Sequence, residues 1–265
     1  MRRSDQEIDI AVSHHTDSCL VAHLSAYADL SDTDNELLSR FERDERDFPA
    51  DAAVQQRGER AEELYVVKQG WLCSSTDLAD GRRHIVRTHH AGDVIGLGDL
   101  AFPRVTVNLS TCTAVRLCPF PKEALGRVFR DSPRLAALLL ALSARDQVLL
   151  YDQLRAAARM NARDRVLYLL LSFLYRLRVT NRAMRDTFEL KLTQTQIGDL
   201  LGLTNVSVSK AFVELEGRGD ILRDRQEVTL LGIPELIERI EFVDRFSTLD
   251  TSWFPPNADA KVYGR

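Results

Sequence analysis

The segment LTQTQIGDLLGLTNVSVSKAFVELEGRG, from Leu192 to Gly219, leaves the chain few ways to fold. Thr193 and Gln196, three residues apart, form a capping-box pair, so a helix starts at Gln194. It ends soon, because Gly202 stands where the backbone must turn a sharp corner with positive φ. Thr204 beyond it is a ready N-cap for a second helix. Around that corner Ile197, Leu201, Leu203, Val208 and Phe212 fall where two crossed helices touch each other and their support, and Gly198 is small where the crossing is closest. Agreement at so many separately constrained positions favours a helix-turn-helix over an ordinary helical hairpin. The following GRGDILRDRQEVTLLG reads as strand, Asp-Arg-Gln turn and strand, a small β-wing.

In this geometry the outward face near the start of the second helix enters the major groove of double-stranded DNA. The candidates there are Asn205, Val206, Ser209 and Lys210, with Ser207 near the phosphates. Asn pairs with adenine, Lys with guanine, and Val packs against a thymine methyl. Thr193, Gln194 and Thr195, at the N-terminus of the first helix, are placed to hold backbone phosphates. Arg223 and Arg225 of the wing reach toward phosphate as well. The net charge of -4 does not speak for nucleic acid, but between Arg155 and Arg185 there are eight arginines and one acid, Asp164. That is a local positive field beside the helix-turn-helix, or else a solvated helix face.

Upstream, the chain changes character twice. From Phe48 to about Pro121 short apolar runs alternate with polar residues, and Gly58, Gly70, Gly81 and Gly92 recur eleven or twelve residues apart. Strand, turn, strand is the rhythm of a compact β-roll of about seven or eight strands. LYVVKQGWLCSSTDL and RRHIVRTHH, joined through Ala79, Asp80 and Gly81, read as a hairpin. After Pro121 the pattern is helical: KEALGRVFRD is a short helix, and Pro133 opens a long one. In it Leu135, Leu138, Leu139, Leu142, Val148, Leu149 and Leu154 cover more surface than packing on one sheet requires, which points to a second copy of the chain. Asn161 and Asp164 restart the helix and mark a boundary near residue 160.

Residues 1 to about 30 are polar and read as a loose arm, followed by a short helix capped by Ser31 or Asp32. No run approaches the roughly 18 apolar residues of a membrane span, and MRRSDQEIDI lacks a secretory core, so a cytoplasmic protein is expected. Cys19, Cys73, Cys112 and Cys118 have no paired short spacing, and no disulfide is expected. The tail TLDTSWFPPNADAKVYGR, with its Pro-Pro pair, leaves the last helix and either docks on the body or trails in solvent.

A glycine-spaced β-roll, a long helix and a winged helix-turn-helix, in that order over roughly residues 20 to 245, resemble the Crp/Fnr family of bacterial transcription regulators. The most specific parts are LTQTQIGDLLGLTNVSVSKAFVELEGRG and the roll from RGERAEELYVVKQG to GDLAF. The resemblance implies an α+β chain. Its parts are an N-terminal arm (1–30), a cyclic-nucleotide-binding-like β-roll (31–131), a dimerisation helix (132–160), a winged helix-turn-helix (161–246) and a tail (247–265). It also implies a homodimer on a roughly palindromic operator, with half-sites one turn apart, that recruits or blocks RNA polymerase. Well-known members carry an acidic residue and an arginine in the recognition helix where this chain has Val206 and Lys210, so a different operator is expected. No cofactor is assigned, and the chain most resembles the group, common in alphaproteobacteria, whose effector pocket is degenerate.

Other readings have specific obstacles. Cyclic-nucleotide members place an Arg-Ser or Arg-Ala pair nine or ten residues after Gly-Glu-Leu. Here GDLAFPRVT offers Gly98, Asp99 and Leu100, but Arg104 follows too soon and is trailed by Val105. A four-cysteine iron-sulfur cluster lacks ligands, since only Cys19 lies in the N-terminal region. His14, His15, Cys19 and His23 could hold metal or haem, yet such a cluster in a polar arm is usually solvated. A cupin-like metal oxygenase built on His84, His89 and His90 would need two histidines one residue apart, because strand side chains alternate, whereas His89 and His90 are adjacent. That enzyme reading also leaves the helix-turn-helix without a purpose. The third class, a β-roll acting purely as an interaction module with the C-terminal half used only for assembly, would be excluded by DNA binding with a steep salt dependence.

Overall fold

The computed structural model describes residues 18–256. His14 and His15, and residues 257–265 of the tail, lie outside them. The described chain opens with α1 (Cys19–Leu24) and α2 (Asp32–Ser39), the latter started by a capping box between Ser31 and Asp34. Leu20 and Leu24 are buried in one core with Leu37, Leu38 and Phe41. From residue 18 onward the segment is therefore packed rather than the loose arm expected: the apolar side of one short helix outweighs its polar composition.

Eight strands follow: β1 (Arg46–Phe48), β2 (Ala53–Gln55), β3 (Glu63–Gln69), β4 (Leu72–Asp77), β5 (Arg83–His89), β6 (Val94–Ile95), β7 (Asn108–Thr111) and β8 (Val115–Pro121). They form two antiparallel four-stranded sheets, ordered β1-β8-β3-β6 and β2-β7-β4-β5. The β4–β5 hairpin closes through Asp80 and Gly81. Register within the second sheet sets Cys73 opposite Ser110 and Leu72 opposite Thr111, and so brings Cys73 to Cys112. These two sit side by side, with Cα atoms 6.5 Å apart. Sequence spacing carries no trace of the pair because only strand register makes residues 39 apart neighbours. Cys19 and Cys118 are free.

Next come α3 (Leu125–Asp131) and the 27-residue α4 (Pro133–Arg159), with Pro133 in its first turn and Ser132 as N-cap. Leu135, Leu138 and Leu142 bury one side of α4 in the core of the roll. Leu140, Leu150, Tyr151 and Leu154, on another side, are more than half exposed. The helical path breaks at Met160 and restarts as α5 (Ala162–Thr180), capped by Asn161. Eight residues between Val166 and Leu174 are buried, on every side of the helix. A helix apolar all round must be covered all round, and α5 lies between the roll and the C-terminal elements. These are β9 (Thr187–Glu189), α6 (Gln194–Leu201), α7 (Asn205–Gly217), β10 (Ile221–Asp224), β11 (Glu227–Leu230) and α8 (Ile233–Ile240). The three strands form a sheet ordered β10-β11-β9. Trp71, Cys73 and Ile85 of the roll share one continuous core with α5 and α7.

Candidate nucleic-acid interface

The corner between α6 and α7 is built as its residues dictate. Thr193 caps α6 through a complete capping box with Gln196. Gly202 takes φ 64, the left-handed conformation that ends the helix. Thr204 then caps α7 by accepting the Ser207 N–H at 3.1 Å. A Cβ added to Gly198 would stand 2.7 Å from the Leu203 carbonyl oxygen, so the two helices meet where only glycine fits. Ile197, Val208 and Phe212 are buried beneath the corner.

The face turned away from this support carries the sequence-predicted residues. Asn205, Val206 and Lys210 are exposed, while Ser207 and Ser209 are half-buried. Asn205 Nδ2 donates to Thr195 Oγ1 at 3.2 Å, which ties the starts of both helices together. Thr193, Gln194 and Thr195 are exposed at the N-terminus of α6, where unpaired N–H groups attract anions. Val213, which the sequence reading passed over, is 63% exposed and lies two turns beyond Val206 on the same side. Its signal is an apolar residue out of step with the buried Val208, Phe212 and Leu215.

The two wing arginines differ. Arg225 is exposed at the β10–β11 turn with φ 54 and makes no ion pair among the described residues. Arg223 is engaged within the chain: its guanidinium lies 4.2 Å from the centre of the Phe212 ring and donates to Glu216 at 2.9 Å. The arginine-rich stretch is engaged in the same way. Arg163 pairs with Asp164, Arg176 with Asp93, Arg178 with Asp186 and Arg155 with Glu241. Arg165 donates to the carbonyls of Ala157, Met160 and Leu201. Most of that charge is structural, and Arg159, Arg182 and Arg185 are left without ion pairs among the described residues.

Behind the interface, α5 and α6 are bonded to the roll. Arg83 Nε and His84 Nδ1, both on β5, donate to the Asp199 carboxylate and carbonyl, each at 2.9 Å. Arg176 donates to the Thr88 carbonyl at 3.0 Å and to the buried Asp93 carboxylate. Burial acts to raise the Asp93 pKa, but Arg176, with His23, His90 and Arg87, outweighs it and holds the group well below the usual carboxylate range. Burial also lowers His23 to about 4 and His89 to about 3, so both rings are neutral at pH 7. His89 Nε2 and Ser74 Oγ share a hydrogen bond at 2.7 Å, while His90 packs edge-on against Trp71 at 4.3 Å. The three histidines proposed for an oxygenase thus face three different surroundings.

The residues present do not fit a cyclic nucleotide. The Asp99 carboxylate accepts from the Thr106 N–H at 2.9 Å and from its hydroxyl at 2.6 Å. Arg104 donates to the Gly58 carbonyl at 2.7 Å. Both groups that would meet the ribose and the phosphate are bonded elsewhere, Asp99 within its own loop and Arg104 to the turn before β3. A cavity of about 380 Å³ remains between β5, α4 and α5, with the Arg87–Asp146 ion pair at 2.6 Å on its wall.

A β-roll, a long helix and a winged helix-turn-helix with its recognition face open define a DNA-binding transcription regulator. The Crp-like helix-turn-helix domain matches residues 164–239, and the cyclic nucleotide-binding domain matches residues 45–132. The nitrogen fixation regulation protein FixK of Bradyrhizobium diazoefficiens is 30% identical over 177 residues, 67% of this chain and 73% of its own. The transcriptional activatory protein AadR of Rhodopseudomonas palustris is 26% identical over 198 residues, 75% of this chain and 81% of its own. The solved structure of FixK2 from Bradyrhizobium japonicum superposes with a TM-score of 0.65 at 25% identity, covering 74% of this chain and 96% of that one. The chain belongs to the Crp/Fnr family, whose members are transcription regulators rather than enzymes and bind DNA as dimers. Among the described residues no helix is long and apolar enough to cross a membrane.

Proposed function

We propose that the chain is a cytoplasmic homodimer that reads a roughly palindromic operator and recruits or blocks RNA polymerase there. Its effector is something other than a cyclic nucleotide. Asn205, Val206, Ser209 and Lys210 contact base edges in the major groove, and Val213 extends their apolar contact. Thr193, Gln194, Thr195 and Ser207 hold phosphates, and Arg225 supplies the contact of the wing. Arg223 braces Phe212 under the recognition helix instead of reaching for phosphate. The observation that carries this reading is the uncovered face of Val206 and Lys210 at the start of a helix whose other side is fixed by Val208, Phe212 and Leu215.

The dimer follows from α4. Ala136, Leu140, Ser143, Gln147, Leu150 and Leu154 alternate by four and three residues, the spacing of a coiled-coil seam. Leu140, Leu150 and Leu154 on it are 63%, 55% and 68% exposed. Such leucines along one helix stripe suit a second copy of the same stripe.

Selection of bound duplexes from a random pool tests the reading. The expected product is an inverted repeat with half-site centres about 10 base pairs apart, bound with a steep salt dependence. Enrichment of no sequence, or of a single unrepeated site, would sink it.

A further inference from the structure

Residues 241–256 lie beyond both matched domains, leave α8 and run back along α4. Glu241, at φ 51, is the left-handed residue that reverses the chain at the end of α8. From there the contacts climb α4 toward its N-terminus. Arg155 donates to the Glu241 carbonyl at 3.1 Å, and Arg245 Nε to Asp152 at 3.1 Å. Arg145 lies 5.8 Å from the centre of the Phe246 ring. Arg134 donates to the Pro255 carbonyl at 3.0 Å, with its guanidinium 5.8 Å from the Phe254 ring. From residue 155 to residue 134 the helix rises about 32 Å at 1.5 Å per residue.

The two ends of this segment sit in different cores. Phe242 packs on Tyr168 and Tyr175 in the core beneath the helix-turn-helix. Phe254 is buried with Leu135 and Leu138 in the core of the roll. Between those anchors the segment bridges the α4–α5 joint at Met160 and Asn161. It keeps to one side of α4: Arg134, Arg145 and Asp152 are spaced by whole turns, whereas Leu140, Leu150, Tyr151 and Leu154 point elsewhere and stay exposed. Val206 and Lys210 are also left open. A segment that hides neither the dimer seam nor the recognition face blocks neither function, but it is anchored on both sides of the joint.

We propose that residues 241–256 form a strap that fixes the angle of the DNA-binding domain about the α4–α5 joint and thereby sets the spacing of the two recognition helices in the dimer. This rests on the dimeric reading above. In Arg245→Ala a partly exposed ion pair is lost and no core is touched, while Phe254→Ala unseats the far anchor. Both variants and the unaltered full-length chain are measured on the selected palindrome, on the same half-sites moved apart by a base pair or two, and on a lone half-site. Release of the strap is expected to weaken palindrome binding roughly 10-fold, as the competent orientation becomes a minor one. Lone half-site affinity should be unchanged, the preference for one spacing should flatten, and trypsin should cleave faster at Arg159. Should Phe254→Ala fail to fold, Arg134→Ala tests the same end of the strap. Tighter palindrome binding by the variants would make the segment an inhibitor and overturn the proposal, as would an unaltered spacing preference in folded variants. If the unaltered chain binds no palindrome, the dimeric reading falls and the strap's role with it, and that result precedes any substitution.

Discussion

Two neighbouring regions, the α6–α7 corner and α5, use their polar residues in opposite ways. The corner holds few charges, yet Thr193, Gln194, Asn205 and Lys210 are displayed to solvent. The stretch from Arg155 to Arg185 holds eight arginines, and five of them are bound to carboxylates or carbonyls of the same chain. Charge density along a sequence is thus a poor guide to a nucleic-acid surface: what counts is which charges the fold leaves uncommitted. A buried guanidinium needs a partner or it destabilises the fold, so arginines on a helix pressed between two domains become joints. Lys210, alone on an open face, keeps its donors for another molecule.

Substitutions can break or sharpen this contrast. The largest effect is expected from Asp93→Ala, which strands Arg176 in the interior: chemical unfolding should show a loss of about 3–5 kcal/mol. A loss under 1 kcal/mol would mean the pair is solvated. Acid should act on the same region. The folded pKa values of His23 and His89 lie below the unfolded value, so the unfolded chain takes up protons first as pH falls through about 6.5. Stability should then drop by about 2 kcal/mol for each histidine by pH 5, with the His23 effect levelling off below about 4. Asp93 stays ionised throughout that window, so its pairing does not contribute to the loss. A melting temperature flat from pH 7 to 5 would contradict this.

Effects at the corner should be smaller in stability and larger in recognition. Lys210→Ala should remove about 1–3 kcal/mol of discrimination between operator and random duplex while leaving the melting temperature unchanged. Thr195→Ala should weaken all duplexes alike. Equal effects of both on every sequence would refute the division of roles. Thr193→Ala removes the α6 cap and should cost about 1 kcal/mol in unfolding measurements. Smallest of all, Arg159→Ala should leave stability within about 0.5 kcal/mol of the parent, although it sits in the same arginine-rich stretch.

The corner was legible because its constraints are local. A cap and its partner lie three residues apart, Gly202 acts on its own φ, and the buried Val208, Phe212 and Leu215 fall at helical spacing. The roll was legible for the same reason, through the Asp80-Gly81 hairpin and its glycine spacing. What stayed hidden is long-range. Arg176 meets Asp93 across 83 positions, and Arg83 meets Asp199 across 116. Cys73 finds Cys112 only through strand register, and Arg223 finds its cation–π partner, Phe212, buried on another element. No periodicity encodes such pairs; they come into being when strands register, elements pack or domains dock.

The continuous core beneath α5 has a practical corollary for anyone who would dissect this regulator. Leu169, Leu170, Phe173 and Leu174 of α5 lie in one core with Trp71 of the roll and Phe212 of α7, and the Phe173 and Trp71 ring centres are 5.1 Å apart. A fragment cut at residue 160 would carry the whole reading head, yet it would emerge with an oily flank and a stranded guanidinium at Arg176, and it should clump before it ever met an operator. Grafting this head onto a foreign sensor would therefore require the face of the roll around Trp71 and Asp93 to travel with it.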